Sequence, residues 1–169
     1  MESTSKGVGD VNSTEKGSGA RFNTGKAPFE LIPLEIIAQY YDNLSEDFTA
    51  TSEFDALWAL RSLGRWQVTG VNSHLYDALN FLGTGGWPEC AQVFDYGKRK
   101  YAEWNWAKGM AWSIPLACAA RHLIAIMGFE EDDPESRLPH RGHVFCNIVM
   151  LLTYAKTFPE GDDRPRCLS

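Results

Sequence analysis

Between His122 and Asn147 the chain concentrates side chains able to hold a cation or move a proton. Stepping successive residues by about 100° around a helix puts His140, His143, Asn147 and Tyr154 within about 60° of one another. The positions around them are mainly apolar, so the four form a polar stripe on an otherwise greasy helix. Burying such a stripe is costly unless a metal, a ligand, water or matching polar groups meet it. The loop just before it, Glu130-Glu131-Asp132-Asp133-Pro134-Glu135, brings carboxylates within reach, and His122 closes the preceding helix. Imidazole mixed with carboxylate suits Mn²⁺, Co²⁺ or Zn²⁺, whereas carboxylates and water alone suit Mg²⁺. On spacing alone two readings stay open. Acidic loops between helices are commonly just solvated, and a helical histidine is commonly a hydrogen-bonded core residue.

A second constellation, Tyr96-Gly97-Lys98-Arg99-Lys100-Tyr101 followed by Trp104-Asn105-Trp106 and Lys108-Gly109, combines cations, an amide and aromatic rings. Cations can meet phosphates, Asn can read a base or sugar edge, and a ring can stack on a purine. The same residues would equally serve as core aromatics and an exposed basic helix face. The loop Arg21-Phe22-Asn23-Thr24-Gly25-Lys26 is a weaker case of the same kind. It lacks Walker spacing, and Gly83 to Gly86 lacks the following Lys-Ser/Thr, so no known phosphate cradle is present. Also absent are a GxSxG elbow, HExxH, an adjacent His-Asp pair, and the paired acidic motifs of MazG-type pyrophosphatases.

The elements that must position these residues read as helices. Signals begin near Pro33, with Leu34, Ile37 and Tyr41 at helical spacing. A second helix opens at Thr51 and is expected to stop near Gly64; a third, capped by Ser73, runs to about Phe81. Pro88 suits the first turn of a helix reaching about Tyr101. Ser113 is expected to cap the next, which tolerates Pro115 in its first turn and ends at Gly128. The last helix runs from about His140 to Lys156. Period-2 alternation is scarce. A short strand over Gln67–Val71 would have no partner. The expectation is an all-α, compact helical domain of five to six helices over residues 21–160. A disordered arm over 1–20 would precede it and a tail over 161–169 would follow.

The 169 residues suit one domain with a hydrophobic core, and 44% of them are hydrophobic. A formal net charge of -6 argues against nonspecific binding of duplex nucleic acid. A single nucleotide needs only a local cationic pocket or a divalent metal. No stretch approaches a membrane span, no secretory leader is visible, and the four cysteines show no CxxC pair. Cys118 and Cys146 read as small core residues, and Cys167 is misplaced for prenylation. A reduced, cytoplasmic protein with no membrane association is expected.

Several of these segments together resemble the phage-encoded dATP/dGTP diphosphohydrolase (MazZ-like) family. The resembling residues are Gly19-Ala20-Arg21-Phe22-Asn23-Thr24-Gly25-Lys26, Tyr96-Gly97 with Lys100-Tyr101, Asn105-Trp106 and Gly109. They continue with Arg121-His122-Leu123, Asp133-Pro134-Glu135-Ser136, and His140 with His143 and Asn147. Two departures stand out. Asp42 to Trp87 intervenes as an apparent helical insertion, and Arg137 follows the Glu-Ser pair where the family tends to have Gly.

The resemblance implies hydrolysis of purine deoxynucleoside triphosphates to monophosphate and pyrophosphate with Mg²⁺, Mn²⁺ or Co²⁺, reshaping the nucleotide pool of a phage's host cell. On that reading we expect His122, Asp133, Glu135 and His143 to hold or orient the metal, and His140 or Glu130 to assist proton transfer. Arg21, Asn23, Lys26, Lys100, Tyr101, Asn105, Trp106, Arg121 and Asn147 would bind substrate. A homo-oligomer is expected by analogy with helical nucleotide hydrolases that build sites across subunits. Two rivals are a non-catalytic nucleotide-binding or host-interaction protein using Phe54, Trp58, Trp66 and Tyr76, and a hydrolase releasing triphosphate or phosphate.

Overall fold

The computed structural model describes residues 9–168. Among them are six α-helices and no strand: α1 (Leu34–Asn43), α2 (Thr51–Thr69), α3 (Ser73–Leu82), α4 (Gly86–Lys100), α5 (Ser113–Met127) and α6 (His140–Thr157). The all-α expectation holds. α5 and α6 pack along each other at the centre, α4 lies on α6, and α2 lies on α5 with α1 and α3 beside it. Leu57, Leu60, Leu63 and Trp66 of α2 share one core with Leu116 and Leu123 of α5 and with Val144, Ile148 and Leu151 of α6. The expected insertion therefore contributes α2 and α3 to the same core that carries α5 and α6.

α2 continues past the expected stop at Gly64 to Thr69, so Gln67 to Thr69 is helix. Gly64 is a contact residue, not a stop: a Cβ there would lie 2.8 Å from the backbone N of Glu35, so its bare face lets α1 approach. Gln67 is fully buried inside α2. Its Oε1 accepts from the Leu34 N–H at 2.9 Å and its Nε2 donates to the Ile32 carbonyl at 3.1 Å. It thereby satisfies the start of α1, a role periodicity cannot reveal. The helix ends at Gly70, whose φ of 69° is left-handed.

The cap of α5 also differs from expectation. Ser113 does not cap its own helix; its N–H donates to Asp163 Oδ1 at 2.8 Å and its hydroxyl to Asp163 Oδ2. A residue of the C-terminal tail thus occupies the capping position. Arg164 holds that tail, its guanidinium 5.1 Å from the Trp66 ring and 5.8 Å from the Trp112 ring.

Of the arm expected over residues 1–20, residues 1–8 lie outside the described residues. Residues 9–20 run along the 3₁₀ turn Asn105–Lys108: Gly17 donates to the Lys108 carbonyl at 2.6 Å and Gly19 to the Gly109 carbonyl at 2.8 Å. No helix among the described residues is long and apolar enough to cross a membrane.

Candidate metal and phosphate site

Every member of the polar stripe on α6 has a partner. His140, 3% exposed, directs Nδ1 at His122 Nδ1 of α5, 2.7 Å away, and Nε2 at Glu130 Oε1, 3.1 Å away. His143 Nε2 meets the Ser136 hydroxyl at 2.7 Å, and its ring stacks on His122 with centroids 4.4 Å apart. Asn147 is fully buried; its Oδ1 accepts from Arg21 Nη2 at 3.0 Å and its Nδ2 donates to the His143 carbonyl at 2.7 Å. The Tyr154 hydroxyl donates to the Trp106 carbonyl at 2.6 Å, so that end of the stripe is structural.

The loop between α5 and α6 is folded back on itself. Asp133 N–H donates to the Leu138 carbonyl at 2.9 Å, and the Ser136 N–H donates to Asp133 Oδ2 at 2.7 Å. This turn aims Asp133 at the histidines, with Oδ2 3.9 Å from His143 Nε2. Burial pushes the Asp133 carboxyl up, but the two hydrogen bonds from Ser136 outweigh it and hold it below its ordinary value. Burial, reinforced by the neighbouring His122, pushes His143 down to about 3, so its imidazole is neutral at physiological pH. Arg137 closes the turn with a φ of 61°. That left-handed conformation is the reason Gly suits this position.

One ligand atom each from His122, Asp133 and His140 can be chosen so that all lie within 4.8 Å of one another. Two imidazoles and a carboxylate make a donor set that fits a divalent cation of the Mn²⁺, Co²⁺ or Zn²⁺ kind. The fit extends outward: Glu130 engages the far nitrogen of His140, the carboxylate–imidazole arrangement that orients a ligating histidine. His140, expected in proton transfer, therefore presents Nδ1 to the donor set. His143 stands beside that set against Ser136. Glu135 stands apart from it, its carboxylate taken by Lys100, by the Tyr96 hydroxyl at 3.2 Å and by Lys26 at 3.7 Å.

A cavity of about 600 Å³ opens beside the donor set, and His122, Asp133 and His143 line it. Its cationic lining includes Arg21, Lys26, Lys98 and Lys100, and its aromatic wall includes Phe94, Tyr101 and Trp106. Phe94 and Trp106 rings lie 5.0 Å apart. Arg21 reaches among soft and neutral partners, with Nη2 2.9 Å from Cys118 Sγ and Nη1 3.5 Å from Met150 Sδ. Among the described residues no carboxylate pairs with it. Burial opposes its charge, yet the neighbouring Cys118 and Cys146 hold its pKa above the ordinary arginine value. Burial likewise opposes ionisation of Cys118, but Arg21 and His122 outweigh it and draw the thiol well below its usual range.

Other expected substrate contacts act by holding the Arg21 loop. Asn105 exchanges two hydrogen bonds with the Ala20 backbone, at 3.0 and 2.9 Å, while still lining the cavity. The Tyr101 hydroxyl accepts from the Phe22 N–H at 3.2 Å. Arg121 donates to the Ala27 carbonyl at 3.0 Å and to Asn23 Oδ1 at 2.9 Å, and neither Arg121 nor Asn23 lines the cavity. Asn147, Glu130 and His140 do not line it either. Sequence reasoning singled out the segments of Tyr96 and Ser136 without giving either residue a role, and read Cys118 as a core residue. The Asp-x-x-Ser spacing was the available signal for Ser136. Nothing in the sequence marks Cys118 as the partner of Arg21.

A family model described as dATP/dGTP diphosphohydrolase, N-terminal, matches residues 78–164, more than half of the chain. The match spans α4, α5 and α6 and the loop carrying Asp133; the Arg21 loop lies outside it. None of the curated proteins and none of the solved structures matches the chain.

Proposed function

We propose that this chain, which belongs to the dATP/dGTP diphosphohydrolase, N-terminal family, hydrolyses purine deoxynucleoside triphosphates to the monophosphate and pyrophosphate. The observation that carries this reading is one cavity lined by members of a His/Asp donor set, by cationic side chains and by an aromatic wall. Among the described residues no carboxylate pairs with Arg21, and a polyphosphate is a natural partner for such a cation. Lys26 and Lys100 extend the positive wall outward, and Trp106 with Phe94 offers a flat apolar surface to a base.

His122, Asp133 and His140 would hold the divalent cation, with Glu130 fixing the tautomer of His140 and Ser136 fixing Asp133. A cation bound there supplies Lewis acidity toward a phosphate oxygen and eases ionisation of water. Neutral His143, held by Ser136, keeps the wall between them from adding a further positive charge. In the overall reaction water adds to the α-phosphorus, the bond from that phosphorus to the bridging oxygen breaks, and pyrophosphate leaves. Such turnover would remodel a nucleotide pool.

The test is incubation of purified protein with dATP or dGTP and Mg²⁺, Mn²⁺ or Co²⁺, followed by chromatographic separation of products. Deoxynucleoside monophosphate with pyrophosphate is the expected outcome. Release of inorganic triphosphate, or no turnover with any of the three cations, sinks the reading.

A further inference from the structure

At the cavity mouth three donors from two segments converge on a carboxylate carried by a third. Lys26 comes from the N-terminal loop, Tyr96 and Lys100 from α4, and Glu135 from the loop between α5 and α6. Lys100 donates to Glu135 Oε1, the same oxygen that accepts from the Tyr96 hydroxyl at 3.2 Å, while Lys26 stands 3.7 Å from Oε2. The Lys100 ammonium also lies 5.8 Å from the Tyr96 ring and 5.7 Å from the Tyr101 ring, so the rings confine it to this spot. Glu135 is turned away from the His122/Asp133/His140 donor set and lines the cavity.

A carboxylate with an ammonium on each side and a hydroxyl donating to it offers the charge and acceptor geometry of a non-bridging phosphate pair. Resting on the pyrophosphohydrolase reading above, we propose that Glu135 is an internal competitor of the substrate's polyphosphate, occupying Lys26, Lys100 and Tyr96 until a triphosphate takes over those contacts. Its function is discrimination. A short or weakly charged anion does not displace a tethered carboxylate. A triphosphate that also engages Arg21 deeper in the cavity does. The released Glu135 then lies free at the mouth, where its negative charge disfavours a second anion.

The experiment measures binding of inorganic tripolyphosphate by calorimetry at low ionic strength, without nucleotide, in the wild type and in Glu135→Gln. The amide keeps the shape and still accepts from Tyr96 but removes the charge. Tripolyphosphate is expected to bind about threefold to tenfold more tightly to Glu135→Gln, the range of an exposed ion pair released from competition. Binding that is unchanged, weaker or undetectable in both proteins overturns the proposal. Introducing Glu135→Gln into a Lys100→Met background is expected to give a smaller gain, and an undiminished gain overturns it. Mn²⁺ affinity of Glu135→Gln, measured alone, is expected to equal that of the wild type; a loss would make Glu135 a metal ligand and overturn it too. Because no nucleotide is used, absence of dATP or dGTP turnover and absence of this competition are separate results.

Discussion

Glu130 touches nothing in the cavity, yet it sets which nitrogen of His140 faces the donor set. Losing such an outer carboxylate commonly weakens a metal site about 10–100-fold. Glu130→Gln is therefore expected to reduce Mn²⁺ affinity by that factor with little change in melting temperature, since the carboxylate is half exposed. Calorimetric titration with Mn²⁺ checks this, and an unaltered affinity would remove His140 from the donor set. Arg137 belongs to the same scale. Its φ of 61° costs a residue bearing a Cβ about 1–2 kcal/mol, partly offset by the entropy a glycine loses on folding. Arg137→Gly should then raise stability by about 0.5–1 kcal/mol, read as a higher urea midpoint. His143 makes the stability depend on pH. Its imidazole drops from an ordinary 6.5 to about 3 in the fold, so between those values the unfolded chain binds the extra proton. Stability of the metal-free protein consequently rises with pH across that window and is lost on acidification below about 6.5. Asp133, held below its ordinary value, acts in the same sense at the acid end. Urea midpoints at several pH values should climb from acid to neutral, and His143→Gln should flatten that climb.

At the scale of elements, the site depends on how closely α4 and α6 approach. Gly142 lies against Glu89 of α4, where an added Cβ would sit 2.8 Å from Glu89 Cβ and 2.9 Å from its backbone carbon and oxygen. Backbone cannot swing aside, so Gly142→Ala is expected to cost about 1–3 kcal/mol. It should also weaken Mn²⁺ binding, because His143 is the next residue and His140 lies two before. A variant that melts like the wild type would show that the helices can part without penalty. These crossings mark the limit of what the sequence discloses. Helix positions were legible because apolar residues recur at helical spacing through Leu116, Leu123, Val144 and Leu151. Gly64 and Gly142 were not legible as contact residues, since a glycine that stops a helix and one that admits a neighbour look alike in one dimension. The polar stripe of His140, His143 and Asn147 was legible as a set needing partners. The partners themselves, His122 for His140 and Ser136 for His143, depend on how α5 meets the turn at Asp133. For the same reason Glu135, two residues from the donor Asp133, ended among lysines.

Taken whole, the molecule assembles its cavity from distant parts of the chain. The Asn105 side chain clamps the Ala20 backbone through two buried hydrogen bonds, and this clamp fixes where Arg21 enters. Asn105→Ala should leave those backbone groups without partners at a cost of about 1–3 kcal/mol and release the Arg21 loop. For the hydrolase reading, KM for the nucleotide should rise more than kcat falls, as steady-state kinetics would show; an unchanged KM would detach the loop from substrate binding. Asn105 lies 85 residues from Ala20, and the Arg21 contact with Asn147 spans 126. Contacts so far apart in sequence form slowly, after helices that need only their neighbours. Residues 20–26 are thus among the last to find their places. On refolding from denaturant, helicity should recover before affinity for polyphosphate does, and the interval between them is the time the Arg21 loop takes to reach Asn105 and Asn147.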